Sequence, residues 1–363
     1  MTSLFLDIPY EKTIEHYTIK NGVRLICRDA FKDCIKLNKI VFPSSLNFIG
    51  EDAFRGCIEL NDVVLPDSLV YVGNGAFDCE GYGLGAEKRK NVLKITIPPS
   101  IEIIDGNPFC YKSIICCNNE RFKVIDNVLF SSDGKVLISY CSPKDEYAIP
   151  NGVERIGVGA FRDTPIRKIS FPESLKIIDK EAFSSAEKLE DVKFPNSLKE
   201  IREKAFKWCS FKTNVVTFPC NIEKIDSDAF GFDWYIKMVK VPKGYLEYYK
   251  SILPDWISNQ IYEDDSIYEN NLYLSSDRTE VITAISGTKD FKIPEGVVTI
   301  RDNAFDSIYT IDTIRLPSTL KYITRKAFDK EILELKKIIV PKGMKEYYIN
   351  FLKKFKDVIV ECE

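Results

Sequence analysis

The sequence predicts an α/β repeat solenoid, in which short strands stack into a parallel sheet and each strand leads into a short helical turn. Three observations predict this fold class. An Ala-Phe pair recurs every 22 to 24 residues between close neighbours. Eleven of the 17 prolines form a second series with mostly the same spacing. Two intervals of that proline series are much longer, 52 residues each, and hold related inserts.

Residues 37–57 show what one repeat contains. The stretch LNKIVFP alternates apolar and polar residues as a strand does, and Pro43 ends it because proline has no N–H to donate to a neighbouring strand. The stretch GEDAF that follows predicts a short helical turn with Ala53 and Phe54 pointing inward. Residues 50–52 and Arg55 are expected on the solvent side of that turn.

The Ala-Phe pairs are the expected core of the solenoid. One coil cannot bury a phenylalanine alone, but stacked coils place identical residues in continuous interior columns. The column is expected to contribute most of the stability, because each phenylalanine removes a large apolar area from water. The pairs are Ala30-Phe31, Ala53-Phe54, Ala76-Phe77, Ala160-Phe161, Ala182-Phe183, Ala205-Phe206, Ala229-Phe230, Ala304-Phe305 and Ala327-Phe328, with Pro108-Phe109 as a variant.

Two duplicated inserts interrupt the regular spacing. VLFSSDGKVLI at 128–138 and LYLSSDRTEVI at 272–282 each predict a β-hairpin with a Ser-Ser-Asp turn. VPKGYLEYYKSILPDW, from Val241, and VPKGMKEYYINFLKKF, from Val340, each predict a strand end followed by an amphipathic helix, the second of which would cap the stack. We therefore expect an N-terminal extension at 1–13, a first module at 14–262 and a shorter second module at 263–363, within one continuous solenoid.

The units LNKIVFPSSLNFIGEDAFRGC, IRKISFPESLKIIDKEAF and LEDVKFPNSLKEIREKAFKWC resemble the BspA-like, or Treponema-type, leucine-rich repeats. The hairpin and VPKG segments are similar to recurring elements of that family. The resemblance extends over residues 14 to 363. It implies a curved, right-handed leucine-rich-repeat array of the kind used by bacterial and protist surface proteins for adhesion to host proteins or other cells.

The outward face of the predicted sheet is the expected binding surface. In LNKIVFP, Ile40 and Phe42 face inward, so Lys39 and Val41 face outward. The same frame places seven basic and two acidic residues on this face, which favours an acidic protein or an anionic glycan as the partner. Ordinary solvated side chains on an exposed sheet are the competing interpretation. The candidate ligand-binding residues are Lys39, Val41, Lys94, Thr96, Lys168, Ser170, Lys193, Thr217, Lys240, Arg315 and Lys337.

Composition excludes several other classes of function. A net charge of -3 predicts no nucleic-acid partner, and no apolar run is long enough for a membrane span. The only histidine, His16, rules out a histidine-based triad or a site with several histidine ligands within one chain. We expect no enzyme activity, no metal and no cofactor. The acidic start predicts a cytoplasmic chain as written, whereas the resemblance implies the cell surface or secretion.

Three further clusters contain residue types that can bind a metal ion or a nucleotide. Cys110, Cys116 and Cys117, with Cys79 or Cys141, lack the spacing of a zinc site. Cys34, Cys57 and Cys209 are expected in the core, where Cys34 and Cys57 of stacked coils could pair if oxidised. GYGLGA at 81–86 follows no strand, so a surface insertion is favoured over a nucleotide loop. The acidic residues at 263–265 and Glu269 lack the ligand spacing of a calcium loop.

A binding scaffold is the favoured function, with a secreted or cell-surface adhesin for host matrix proteins or other cells as the alternative.

Overall fold

The structure is a computed structural model. It describes residues 5–6, 12–78, 92–111, 113–190, 192–209, 211, 215–231, 236, 238–254, 257, 260–285, 288–302, 304–305, 308, 310–323, 327 and 335–362. The loop predicted at 81–86, Cys79 and Phe328 lie outside the described residues. The chain divides into two compact units, the first formed by residues 1–210, 219–233 and 252–254, and the second by residues 211–218, 234–251 and 255–363.

Short strands make up most of the regular structure. As far as Ser170 they are β1 (Phe5–Leu6), β2 (His16–Thr18), β3 (Leu25–Ile26), β4 (Lys39–Val41), β5 (Phe48–Ile49), β6 (Asp62–Val64), β7 (Tyr71–Val72), β8 (Lys94–Ile97), β9 (Ile103–Ile104), β10 (Ile114–Cys117), β11 (Phe122–Ile125), β12 (Val128–Ser131), β13 (Val136–Tyr140), β14 (Glu146–Ala148), β15 (Arg155–Ile156) and β16 (Lys168–Ser170). They continue as β17 (Ile177–Ile178), β18 (Glu200–Ile201), β19 (Val215–Thr217), β20 (Lys224–Ile225), β21 (Met238–Val241), β22 (Ile261–Glu263), β23 (Ile267–Glu269), β24 (Leu272–Leu274), β25 (Glu280–Ala284), β26 (Asp290–Lys292), β27 (Thr299–Ile300), β28 (Thr313–Arg315), β29 (Tyr322–Ile323), β30 (Lys337–Val340) and β31 (Ile359–Glu361).

A regular coil contributes two strands, one before its proline and a shorter one after it. The strands before the prolines form the parallel sheets β6-β8-β10 and β26-β28-β30-β31, and the two-residue strands form parallel sheets such as β3-β5-β7-β9. The predicted solenoid with stacked parallel strands is confirmed. The second strand of each coil was not predicted, because a two-residue strand leaves no alternating pattern in the sequence.

Both predicted hairpins are present, and each gains an extra strand on its N-terminal side. The antiparallel sets are β11-β12-β13 and β23-β24-β25. The added turns carry Asp126 with Asn127 and Asn270 with Asn271, all at positive φ, as a tight two-residue hairpin requires. Each hairpin then continues into the short-strand sheet, through β13 beside β15 in the first unit and β25 beside β27 in the second.

The Ala-Phe turns are not helical in the part of the chain that the structure describes. Asp52, two residues before Phe54, has a φ of 54°, and the matching Glu181 has 55°, so the chain leaves the helical conformation at these positions. Alternate amides of the turn bond to the next coil, and the amides between them bond within their own coil. The Phe54 amide donates to the Ala76 carbonyl at 2.8 Å, and the Phe183 amide to the Ala205 carbonyl at 2.7 Å.

The phenylalanines form the predicted interior column. In the first unit, ring centroids lie 4.9 Å apart for Phe31 and Phe54, and 5.1 Å apart for Phe183 and Phe206, with near-parallel planes. Tyr140, at the end of the first hairpin, takes the place of a phenylalanine and stacks on Phe161 at 4.8 Å. The column therefore continues into the hairpin through a residue that the Ala-Phe pattern did not include.

Charged residues line the turns in an unexpectedly buried position. Asp52, predicted on the solvent side, is buried and lies 3.4 Å from Arg55 Nη1. Further along, Arg162 Nη2 donates to Asp78 Oδ2 at 2.9 Å, although the two residues are 84 positions apart. Buried charges of this kind are stable only when paired. The pairs of Lys32 with Asp52 and of Arg55 with Asp78 join neighbouring coils.

Two short helices follow the VPKG segments, as predicted. Helix α1 spans Leu246–Ile252 and helix α2 spans Lys345–Phe351, followed by a 3-10 helix at Lys353–Val358. Tyr249 in α1 and Tyr348 in α2 are the buried residues of these helices. Within the described ranges, no helix has the length and apolar character needed to cross a bilayer.

We expect Phe206→Ala to lower the free energy of unfolding by about 3 to 5 kcal/mol, since its ring is fully buried between Phe183 and Phe230. Phe48→Ala is the matched control, because Phe48 is 44% exposed and its loss is expected to cost under about 1 kcal/mol. Chemical denaturation followed by circular dichroism measures both. Equal costs for the two variants would contradict the interior column.

Candidate functional site

The strands before the prolines present most of the predicted residues to solvent. Burial alternates along them, as in β4, where Lys39 and Val41 are exposed on either side of buried Ile40. Two of the predicted residues, Thr217 and Lys240, are mostly covered but not fully buried. The exposed ones are Lys39, Val41, Lys94, Thr96, Lys168, Ser170, Lys193, Arg315 and Lys337.

The first unit gathers one group of these residues into two parallel rows on β4, β6, β8 and β10. In-register pairing places Asp62 beside Lys94, and Val64 beside Thr96. We call Val41, Val64, Thr96 and Cys116 the valine row, and Lys39, Asp62 and Lys94 the charged row. Strands β6, β8 and β10 are hydrogen-bonded in one sheet, whereas β4 pairs with β2 in another sheet and shares a groove with β6. With paired strands about 4.8 Å apart, the part of the valine row on β6, β8 and β10 extends for roughly 10 Å.

Strand β10 belongs to this surface, although the inward and outward alternation predicted from the sequence did not include it. Ile114 pairs with Lys94 and Cys116 with Thr96, and both Ile114 and Cys116 are exposed. The frame was anchored on the proline that ends each strand, and no proline follows β10. The alternation in SIICC was the signal that could have found it.

Shallow grooves run along the two rows. One groove, of about 550 Å³, lies between β4 and β6 and is lined by Lys39, Val41, Asp62 and Val64 among others. A second, of about 440 Å³, lies over β6, β8 and β10 and is lined by Val64, Lys94, Thr96, Ile114 and Cys116 among others. Val64 lines both grooves and is 78% exposed.

Ion pairs separate the predicted basic residues into two groups. Lys168 Nζ lies 3.2 Å from Glu146 Oε1, and Lys240 Nζ lies 2.7 Å from Asp264 Oδ1. Within the described ranges, no carboxylate lies within 4.0 Å of the side-chain nitrogens of Lys39, Lys94, Lys193, Arg315 or Lys337. The flanking strands β14 and β26 also add exposed Glu146 and Asp290 to the same faces. The positive excess is therefore smaller than the sequence frame suggested.

The second hairpin covers part of the predicted face in the second unit. Val215 and Met238 lie two residues before Thr217 and Lys240, so strand alternation predicts that they also face outward. Instead they are buried in a cluster with Ile282 and Ile285. Lys240, whose side chain is 14% exposed, lies over the Tyr273 ring at 5.2 Å from its centroid. Strand alternation shows which residues face outward but not whether a hairpin covers them, so these residues were predicted to be open to solvent.

A second apolar row lies on the two-residue strands of the first unit. Leu25, Phe48, Tyr71 and Ile103 are in register on β3, β5, β7 and β9. The Tyr71 hydroxyl donates to Asp105 Oδ2 at 3.0 Å, and burial together with this bond raises the pKa of Tyr71 to about 12. Sequence reasoning missed this row because it assigned one strand to each coil.

The alternative clusters have other roles in the structure. Cys110 and Cys141 are buried, and burial raises the pKa of the Cys141 thiol. Cys34, Cys57 and Cys209 are buried as predicted. Asp264 is paired with Lys240, and Glu269 lies 3.2 Å from Arg278. In the part of the chain that the structure describes, no three Cys, His, Asp or Glu side chains are arranged to hold a metal ion.

Stacked coils, duplicated hairpins and an exposed strand face define a leucine-rich-repeat solenoid. The family model for the BspA type leucine rich repeat region matches residues 9–137, 134–253 and 284–359 in six copies, and the chain belongs to this family. Among curated proteins, no match was found.

Three solved structures are similar to this chain. A leucine rich cell surface protein from Faecalibacterium prausnitzii is 24% identical, with a TM-score of 0.50, and the match covers 70% of this chain and 74% of that one. The pneumococcal vaccine antigen PcpA is 19% identical over 96% of this chain and 79% of that one, with a TM-score of 0.46. A leucine-rich repeat protein from Bacteroides ovatus is 19% identical over 97% and 85%, with a TM-score of 0.40.

Cys116 provides a direct probe of the valine row. We expect a brief maleimide pulse on the native protein to label Cys116 before Cys141, because Cys116 is exposed whereas Cys141 is buried with a raised pKa. Mass spectrometry of the digested protein measures both sites, and labelling after unfolding is the control. Equal rates at the two thiols in the native state would contradict the exposure of this row.

Proposed function

We propose that the protein is a non-enzymatic binding scaffold that recognises a protein partner through the valine row and the charged row. The inward residues of each coil are committed to stacking, which leaves the outward residues free to vary with the ligand. Family membership supports a scaffold of this kind. The proposal assigns no catalytic role to any residue of these two rows.

One observation carries the proposal, the exposure of Val64 in a row with Val41 and Thr96. Exposed apolar side chains that form a continuous row beside charged residues are typical of a surface that binds another protein. Val64 lines both grooves, so a side chain from a partner could contact it on either side. We therefore place the centre of the proposed interface at Val64.

The charges favour a protein over an anionic glycan as the partner. Asp62 lies in the charged row with Lys39 on one side and Lys94 on the other, so positive charge is interrupted at the centre. A sulfated or carboxylated glycan would meet repulsion there, whereas a protein surface can present both signs of charge. An anionic glycan is the second candidate, and it is supported by the lysines that have no carboxylate within 4.0 Å among the described residues.

A role as a cell-surface adhesin is the alternative within the same class. The Faecalibacterium structure is of a cell surface protein, and the chain shares its fold. Host matrix proteins and the surfaces of other cells are then the ligands to examine. Such a role would use the same rows.

The decisive comparison measures, by surface plasmon resonance, the binding of four variants to immobilised fibronectin, laminin and heparin. Val64→Glu should weaken protein binding at least about tenfold, because a central contact of an interface carries a large share of the affinity. Lys39→Glu with Lys94→Glu should also weaken it, and mainly by slowing association.

Two controls match these changes. Phe48→Glu introduces the same charge into the other apolar row, and Lys188→Glu with Lys321→Glu changes the net charge equally at exposed lysines elsewhere. Sensitivity to Phe48→Glu alone would move the interface to the second row. Heparin binding lost with the lysines but retained in Val64→Glu would favour the glycan, and a ligand indifferent to both changes would contradict the proposed face.

A further inference from the structure

The C-terminal cap carries a cluster of lysines beside exposed aromatic rings. Lys345, Lys353, Lys354 and Lys356 are exposed on α2 and the 3-10 helix that follows it. Across the described ranges, no carboxylate lies within 4.0 Å of their ammonium groups. Glu361, an acidic residue of β31, accepts hydrogen bonds from the backbone amides of Gly343 and Lys345 at 3.0 and 3.1 Å.

The aromatic rings lie on the same exposed side of the cap as a small depression. Tyr347 and Phe351, one helical turn apart, are 37% and 39% exposed with ring centroids 5.0 Å apart. A depression of about 300 Å³ is lined by Phe351, Leu352, Lys353, Lys354 and Phe355. Lys354 Nζ lies 5.8 Å from the centroid of the Phe355 ring.

The duplicated segment earlier in the chain shows that these lysines are not needed for the fold of the cap. Residues 340–355 contain four lysines and one glutamate, whereas the aligned residues 241–256 contain two lysines, one glutamate and one aspartate. In α1, Lys250 is paired with Glu247 at 2.8 Å. Both helices nevertheless keep the buried tyrosine, Tyr249 or Tyr348. The basic character is therefore an addition to the second copy.

We propose that this cap, formed by α2 and the 3-10 helix, docks onto the surface of an anionic lipid bilayer. Lysines next to exposed aromatic residues match the two layers of a membrane interface, since the ammonium groups meet the headgroup charges and the rings insert among the acyl chains near the surface. The depression between Phe351 and Phe355 gives the lipid tails an apolar floor beside Lys353 and Lys354. This contact is independent of the valine row.

The full-length protein tests this with sedimentation of vesicles made either of phosphatidylcholine alone or of phosphatidylcholine with phosphatidylserine. Binding should require phosphatidylserine and should weaken as salt is raised. Each lysine near an anionic surface strengthens binding by roughly fivefold, so Lys353→Glu with Lys354→Glu should weaken it more than about tenfold. Phe351→Ser should also weaken it, because the inserted ring is lost.

The first copy supplies the matched control. Lys243→Glu with Lys250→Glu makes the same change in net charge at α1 and should leave vesicle binding unchanged. Thermal unfolding by circular dichroism verifies that each variant is folded. Equal binding to both vesicle types, or an equal loss from the α1 control, would overturn membrane docking. Retention on heparin that the lysine changes abolish, together with vesicle binding indifferent to Phe351→Ser, would assign the cluster to an anionic polymer instead.

Discussion

The structure depends on one repeated contact, the hydrogen bond from the amide of a core phenylalanine to the carbonyl of the residue that precedes the phenylalanine of the next coil, which is an alanine in most coils and Pro108 for Phe77. Phe31 donates to Ala53 at 2.7 Å, and Phe54 to Ala76 at 2.8 Å. The spacing between coils that these bonds set also brings the phenylalanine rings into stacking distance, so each hydrogen bond is accompanied by an apolar contact. In these turns the residue two positions before the phenylalanine is left-handed, as at Asp29 and Asp52, which takes the chain out of the helical conformation.

The sequence predicted the interior well because stacking constrains it at a fixed spacing. Ala53, Phe54 and their equivalents could be found from the period alone. Other features arise from contacts between distant residues, which a period cannot show. Asp52 is buried because Arg55 and Lys32 lie near it, and Tyr140 joins the column because the hairpin brings it there.

The candidate site was predictable only where a coil is regular. Lys39, Val41, Lys94 and Thr96 were found from strand alternation and lie together on one surface. Ile114 and Cys116 were missed because no proline marks their strand, and Lys240 lies near Asp264 and Tyr273 of a hairpin that the pattern could not position. Stacking fixes the inward residues and leaves the outward residues to vary with the partner, so the repeat pattern of the sequence predicts the fold but does not name the ligand.

Amide hydrogen exchange tests this account most directly. If the bonds between turns hold the coils together, the amides of Phe54, Phe183 and Phe206 must exchange as slowly as the strand amides of their own coils, because both are exposed only when coils separate. Mass spectrometry of peptides that span these turns gives the rates. Rapid exchange in the turns alongside protected strands would show that the strands alone hold the solenoid together, and would contradict the account.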